Sequence, residues 1–148
     1  MNKTIEEGLW DSGPELDRKI SVFRGDRVEY VETSQVKEGV RCDVYKFTNT
    51  TEKDLGIITV DPAYTTPWQK VLKGDKTLEI FLEGEGSLII VGHDNRQVEY
   101  KYPGGPKEVE VEVGELMQWR ARGKLIFAEI CYPPYEEGRF QNINNKEK

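Results

Sequence analysis

Residues 97–121 read QVEYKYPGGPKEVEVEVGELMQWRA. Val98, Tyr100 and Tyr102 fall on every second position. So do Val109, Val111 and Val113, with Glu108, Glu110 and Glu112 in between. A period of two sends alternate side chains to opposite faces of a half-buried strand, which puts these glutamates in water. Pro103-Gly104-Gly105-Pro106 separates the two runs and Gly114-Glu115 closes the second. Both are turn chemistry, because proline lacks a ladder donor and glycine accepts positive φ.

The same grammar extends outward. Toward the C-terminus, Leu116–Ala121 and Leu125–Tyr132 read as strands. Toward the N-terminus, Ser87–Val91 and Thr77–Glu83 do, divided by the turn signal Glu83-Gly84-Glu85-Gly86. His93-Asp94-Asn95 marks another turn. Leu55–Val60 is a mostly apolar strand, and Arg27–Val31 alternates. Val40, Cys42 and Val44 share a face, then the parity slips at Tyr45 and Phe47, which predicts a bulge or a twist. Turn signals spaced roughly 8–12 residues apart fit an all-β sandwich or barrel. One short helix is expected near the start: Ser12 as cap, Pro14 in its first turn, Glu15 completing a capping box, Leu16 and Ile20 on one face. The chain reads as a single domain over 1–148, with a core over about 27–140, an N-terminal extension over 1–26 and a polar tail over 141–148.

Composition narrows the chemistry. The 148 residues include 21 basic and 27 acidic side chains, one histidine and two cysteines, for a net charge of −6. Nucleic acid is excluded as a partner, because phosphate binding needs a basic excess or stripe. One histidine excludes a multi-histidine metal site within one chain, and two cysteines exclude a Cys₄ site. No apolar run approaches the ~20 residues of a membrane span. MNKTIEEGLW lacks the apolar stretch of a secretory signal, so a cytoplasmic location is expected, with Cys42 and Cys131 as buried thiols.

Two segments carry more than patterning: Asp61–Gly86, DPAYTTPWQKVLKGDKTLEIFLEGEG, and Val111–Phe140, VEVGELMQWRARGKLIFAEICYPPYEEGRF. Together they resemble the two motifs of the cupin superfamily, from roughly Leu55 to Phe140. The first motif of that superfamily holds a His-x-His pair, a Glu, and a Gly after six intervening residues. Glu79 and Gly86 keep that last spacing, with IFLEGE between them. Val111-Glu112-Val113-Gly114-Glu115 matches the Gly-Glu/Asp opening of the second, and Tyr132-Pro133-Pro134-Tyr135 resembles the exit of single-domain cupins. The resemblance implies an all-β double-stranded β-helix, the cupin jelly-roll barrel, and a homodimer.

The departure from the pattern is as informative. Metal-binding cupins use the His-x-His pair, the Glu and a third His. Here the first positions fall on Lys73 and Asp75, on Leu72 and Gly74, or on Gln69 and Val71. The last falls on Met117, beside Gln118. None is a histidine, so no metal and no cofactor is expected. His93 stands in a turn elsewhere in the chain.

In the cupin register Glu79 points into the barrel, opposite in parity to Leu78, Ile80 and Leu82. It is the candidate acid/base or ligand anchor, with Lys70 as its catalytic partner and Tyr64 as a further contributor. Arg120 would clamp a carboxylate or phosphate. Gln69 and Gln118 would hydrogen-bond a sugar or small acid. Trp68 and Phe81, with Trp119, would form an aromatic wall. Each of these residues also has an ordinary structural use, as packing or a solvated charge. Three functions remain open: a binder of a small polar metabolite, sugar or organic acid; a metal-independent isomerase, epimerase or lyase using Glu79 and Lys70; and an assembly protein with an occluded barrel.

Overall fold

A computed structural model describes residues 3–4, 20–72, 76–132 and 140–143, and side chains within 21–72 and 76–132. The described residues form strands and no helix. In chain order these are β1 (Lys3–Thr4), β2 (Ile20–Phe23), β3 (Asp26–Lys37), β4 (Val40–Phe47), β5 (Asp54–Val60), β6 (Trp68–Val71), β7 (Lys76–Val91), β8 (Gln97–Tyr102), β9 (Glu108–Glu112), β10 (Leu116–Tyr132) and β11 (Phe140–Ile143). The short helix expected from Ser12 lies outside the described residues, except that Ile20 opens β2. The ladder begins before Arg27 and runs to Ile143, beyond both ends of the expected core.

β7 and β10 organise the molecule. Each is a long strand where the sequence predicts two shorter ones with a turn between. Lys76–Gly84 of β7 pairs with Leu125–Tyr132 of β10, and Gly86–Val91 pairs with Leu116–Ala121. The first half of this ribbon continues through β5, β4, β3 and β2 on one side and meets β9 on the other. The second half meets β8 on one side and β6 then β11 on the other. All these pairings are antiparallel; β1 joins β2 in parallel. The expected turn at Gly84 is thus a corner where both strands pass from one half-sheet to the other. A bulge between Ala121 and Leu125 takes up the bend. Gly84 has φ +109°, and a Cβ there would collide with the carbonyl oxygen of Lys124; one at Gly86 would collide with that of Arg120. Glycine is required at both, because two backbones occupy the space of a side chain.

The two half-sheets enclose a core of Val40, Ile58 and Phe127 from the first and Leu88, Ile90, Met117 and Trp119 from the second. A separate apolar cluster covers the other face of the first half-sheet: Tyr45, Phe47, Ile57, Ile80, Ala128 and Ile130 pack with Phe23 and Val28 of β2 and β3. This second cluster explains the parity slip in β4. The strand pairs with β5 without a break, so it carries no bulge of its own. Cys42 and Val44 face inward while Asp43, Tyr45 and Phe47 are buried on the outer face, so β4 is covered on both sides. The irregularity lies in β3, between Tyr30 and Glu32, opposite Tyr45 and Val44.

Candidate functional site

Between the half-sheets lies a cavity of about 550 Å³. Met117, Trp119 and Phe127 form its apolar wall, with Val40, Val44 and Ile58 beside them. Glu32, Ser34, Gln35 and Val36 of β3 line it too, and these are exposed, so they make its rim. Its acidic side chains are Glu32, Asp54, Glu79 and Glu129. No Lys, Arg or His lines it among the described residues.

Glu79 is the deepest of the acids, at 1% exposure. Its strand parity turns Leu78 and Ile80 toward the outer cluster and Glu79 inward. Oε1 accepts a hydrogen bond from Trp119 Nε1 at 2.8 Å. Oε2 accepts none. The cross-strand partner of Glu79 is Glu129, directly opposite on β10 and on the same cavity wall. Two adjacent carboxyls, one fully buried and one half-buried, cannot both ionise cheaply. Burial first, and the Glu129 carboxyl second, push Glu79 well above the usual carboxylate range; the Trp119 donor and Thr77 oppose the shift without cancelling it.

Trp119 is fixed by more than this bond. Its ring stacks on Phe127 at 4.2 Å between centroids, and its backbone N–H donates to Thr66 Oγ1 at 2.9 Å. Stacking of this kind contributes about 0.5–1.5 kcal/mol beyond area burial. Tyr102 lies 5.5 Å from the Trp119 ring and Phe81 stacks on Tyr102 at 4.6 Å, so an aromatic row runs away from the cavity.

The sequence candidates divide by strand parity. Glu79 and Gln69 line the cavity. Phe81 stands two rings behind the Trp119 wall, with Tyr102 between. Trp68, Lys70, Gln118 and Arg120 are not among the lining residues. Arg120 is exposed; its Nε donates to Gln118 Oε1 at 2.7 Å and its guanidinium lies 5.8 Å from the Trp68 ring centroid. Gln118 Nε2 donates to the Thr66 carbonyl at 3.0 Å. These residues therefore form a cluster on the outer face of the second half-sheet. Lys70 opposite Leu116 and Gln69 opposite Met117 show the alternation, one outward and one inward. Lys70 thus does not stand beside Glu79. Tyr64 is at the surface, where its hydroxyl donates to Glu38 at 3.0 Å.

Sequence reasoning missed Glu129, Asp54, Glu32 and the two cysteines as lining groups. Glu129 carries the same signature as Glu79: a charge sharing strand parity with apolar Phe127 and with Cys131 in IFAEIC. Cys42 and Cys131 both line the cavity as thiols, not as a disulfide. Burial, followed by the nearby Glu129 and Asp43 carboxylates, raises the Cys42 thiol far above its ordinary value. Gly56 sits between Cys42 and Glu129; a Cβ there would come within 3.1 Å of Cys42 Sγ.

The donors around Glu79 do not fit the transition-metal site that a cupin resemblance implies. Trp119 holds one of its oxygens, and its neighbours are a carboxyl, an amide and a thioether rather than imidazoles. His93 lies outside the barrel, where its Nε2 is 2.7 Å from the Val113 carbonyl. Its ring, Glu112 and Glu115 are the three such groups found within 4.8 Å of one another among the described residues, on an exposed turn.

Comparison with known proteins yields fold neighbours only. No protein-family model matches the chain, and no curated protein does. Solved structures do. The capsular polysaccharide assembling protein CapF from Staphylococcus aureus superposes with a TM-score of 0.62 at 10% identity, over 79% of this chain and 32% of that one. Oxalate decarboxylase of Lactobacillus farciminis, in a formate complex, gives 0.61 at 11%, over 80% and 34%. Rru_A2000 from Rhodospirillum rubrum, a cupin-2 domain, gives 0.60 at 14%, over 80% and 77%. This chain has the cupin fold. It spans about a third of the length of the first two structures. At these identities the cupin likeness extends to the fold and no further. Among the described residues no helix is long and apolar enough to cross a membrane.

Proposed function

We propose that this cupin-fold chain binds a small polar metabolite in its barrel, without a transition metal. The observation that carries the reading is the cavity itself: about 550 Å³, within the ~300–1,000 Å³ of small-molecule sites, with an exposed rim, an aromatic wall and a buried polar group on it. An occluded barrel fits this volume poorly. Of the two ligand classes that the sequence leaves open, the acidic lining favours a sugar-like molecule over an organic acid, whose carboxylate would meet Glu32, Asp54, Glu79 and Glu129 with no cation among the described lining residues.

A second reading, metal-independent isomerase, epimerase or lyase chemistry, draws support from the Glu79–Glu129 pair, because a carboxyl that keeps its proton beside an acceptor is an acid/base device. Lys70, on the outer face, has no part in it. The homodimer and the cytoplasmic location belong to the same proposal, and sedimentation velocity tests the first.

A thermal-shift screen with sugars, sugar phosphates and organic acids tests the binding function. A ligand at a hundredfold excess over its Kd should stabilise the chain by about 2.7 kcal/mol. Stabilisation by neutral sugars is expected. Flat melting curves for the whole set overturn the reading.

A further inference from the structure

The strand that forms the rim of the cavity is supported along one edge. From Tyr30 to Lys37, β3 pairs with β4, while β2 reaches only Asp26–Glu29. The β3–β4 ladder slips twice in this stretch, between Tyr30 and Glu32 and between Gln35 and Lys37. Residues 31–38 are all exposed, and among the described residues no strand pairs with their other edge. A strand held by one irregular ladder is among the first parts of a fold to open. Another part of the lining is held firmly. Residues 61–67 form a strap from β5 to β6, and its Thr66 and Pro67 line the cavity. The strap is stapled to β10: Ala63 N–H donates to the Ala121 carbonyl at 3.1 Å, Ala121 N–H to the Tyr64 carbonyl at 3.0 Å, and Thr66 N–H to the Trp119 carbonyl at 2.9 Å.

Tyr64 ties the loosely held strand to the firmly held strap. Its ring lies directly on Gly39, in the turn between β3 and β4, where a Cβ would collide with Tyr64 Cγ. Its hydroxyl donates to Glu38 Oε2 at 3.0 Å, and Asp61 N–H donates to the Gly39 carbonyl at 2.8 Å. Gly39 has φ +80°, so the backbone and the seated ring both require glycine there. Ala63, just before the tyrosine, holds φ +72°, a conformation that alanine keeps only where its surroundings fix it. We propose that Tyr64 is a clasp on the mouth of the barrel: while its ring and hydroxyl hold the β3–β4 turn, β3 stays seated on β4, and when the clasp releases, β3 lifts away and widens the way in. This rests on the reading of the cavity as a binding site and adds what controls entry to it. It also gives Tyr64 a role at the surface in place of the acid/base one expected from the sequence.

Cys42 reports on the mouth, because it lines the cavity and stands opposite Ser34 of β3. The test labels the full chain, without ligand, with a small thiol reagent, iodoacetamide, and a bulky one, fluorescein maleimide. Mass spectrometry of the Cys42 peptide gives the rate for each. Both reagents react with the thiolate, so the ratio of their rates separates size from thiol acidity. Tyr64→Ala should raise the rate of the bulky reagent by about tenfold, and the bulky-to-small ratio with it. Tyr64→Phe loses the hydroxyl and keeps the ring; it should raise the bulky rate by about threefold, within the range of one hydrogen bond. Neither increase should depend strongly on low concentrations of denaturant, because a local opening exposes little surface. Equal acceleration of both reagents, rates that follow global unfolding in denaturant, or rates unchanged in both variants overturn this inference. Because no ligand is used, such results leave the binding site standing, and the thermal-shift screen judges that reading separately.

Discussion

Replacing Glu79 with glutamine should make the folded chain more stable in neutral solution and leave its stability unchanged in acid. Glutamine keeps the Oε1 acceptor for Trp119 Nε1, a contact of 2.8 Å, and presents N–H donors where a protonated carboxyl presents its O–H. It is therefore a permanent copy of the neutral side chain. The wild-type carboxyl is raised in the folded chain, by burial first and by Glu129 second. The unfolded chain releases this proton near about pH 4.3, its ordinary value. Above that point the folded chain binds more protons than the unfolded one, so stability falls as pH rises, until the folded value is passed. Below it the contribution is fully present. Each tenfold difference in proton affinity between the two states costs about 1.4 kcal/mol. With an unfolding entropy of about 2.1 cal/mol/K per residue, that moves the melting temperature of a chain of this length by about 4 °C. Scanning calorimetry on both proteins from about pH 4 to pH 8 checks this, other carboxyls contributing equally to each. The two curves should meet in acid and diverge toward neutrality, with the variant higher. Parallel curves, or a variant less stable throughout, would refute the reasoning.

Three further outcomes are expected. Gly84→Ala should destabilise the fold by on the order of 3 kcal/mol, measured by denaturant unfolding, because its φ of +109° and the Lys124 carbonyl leave no room for a Cβ. Trp119→Phe keeps a ring to stack on Phe127 but leaves Glu79 Oε1 without its donor; a cost of about 1–3 kcal/mol and a loss of stability that continues to higher pH should appear in the same unfolding assay. Cys42 should resist a thiol reagent at about pH 8 in the folded chain and react on unfolding, because its protonated form is favoured by burial and by the surrounding carboxylates.

The strands around Tyr100 and Val111 were legible because one face of each meets water, which writes the period of two into the residues. β4 was read less well because it is buried on both faces, and a doubly covered strand loses that signature. The corner at Gly84 looked like a turn, since glycine serves both; which one it makes depends on whether another backbone lies against it. Glu79 stood out as a charge at an inward position of an apolar strand. Its partner did not. Register between β7 and β10 decides that Glu129 faces it, and register is a tertiary quantity that neither strand encodes alone. Lys70 failed as a partner for the matching reason: one residue of strand parity separates it from inward-facing Gln69.

The most direct test of the account is the pH titration of the Glu79 side-chain carboxyl, followed by carbon NMR with the resonance assigned by the Glu79→Gln variant. A buried carboxyl opposite Glu129 predicts that Glu79 keeps its proton well above the range in which the surface glutamates lose theirs. A Glu79 signal that titrates together with the surface carboxyls would contradict it.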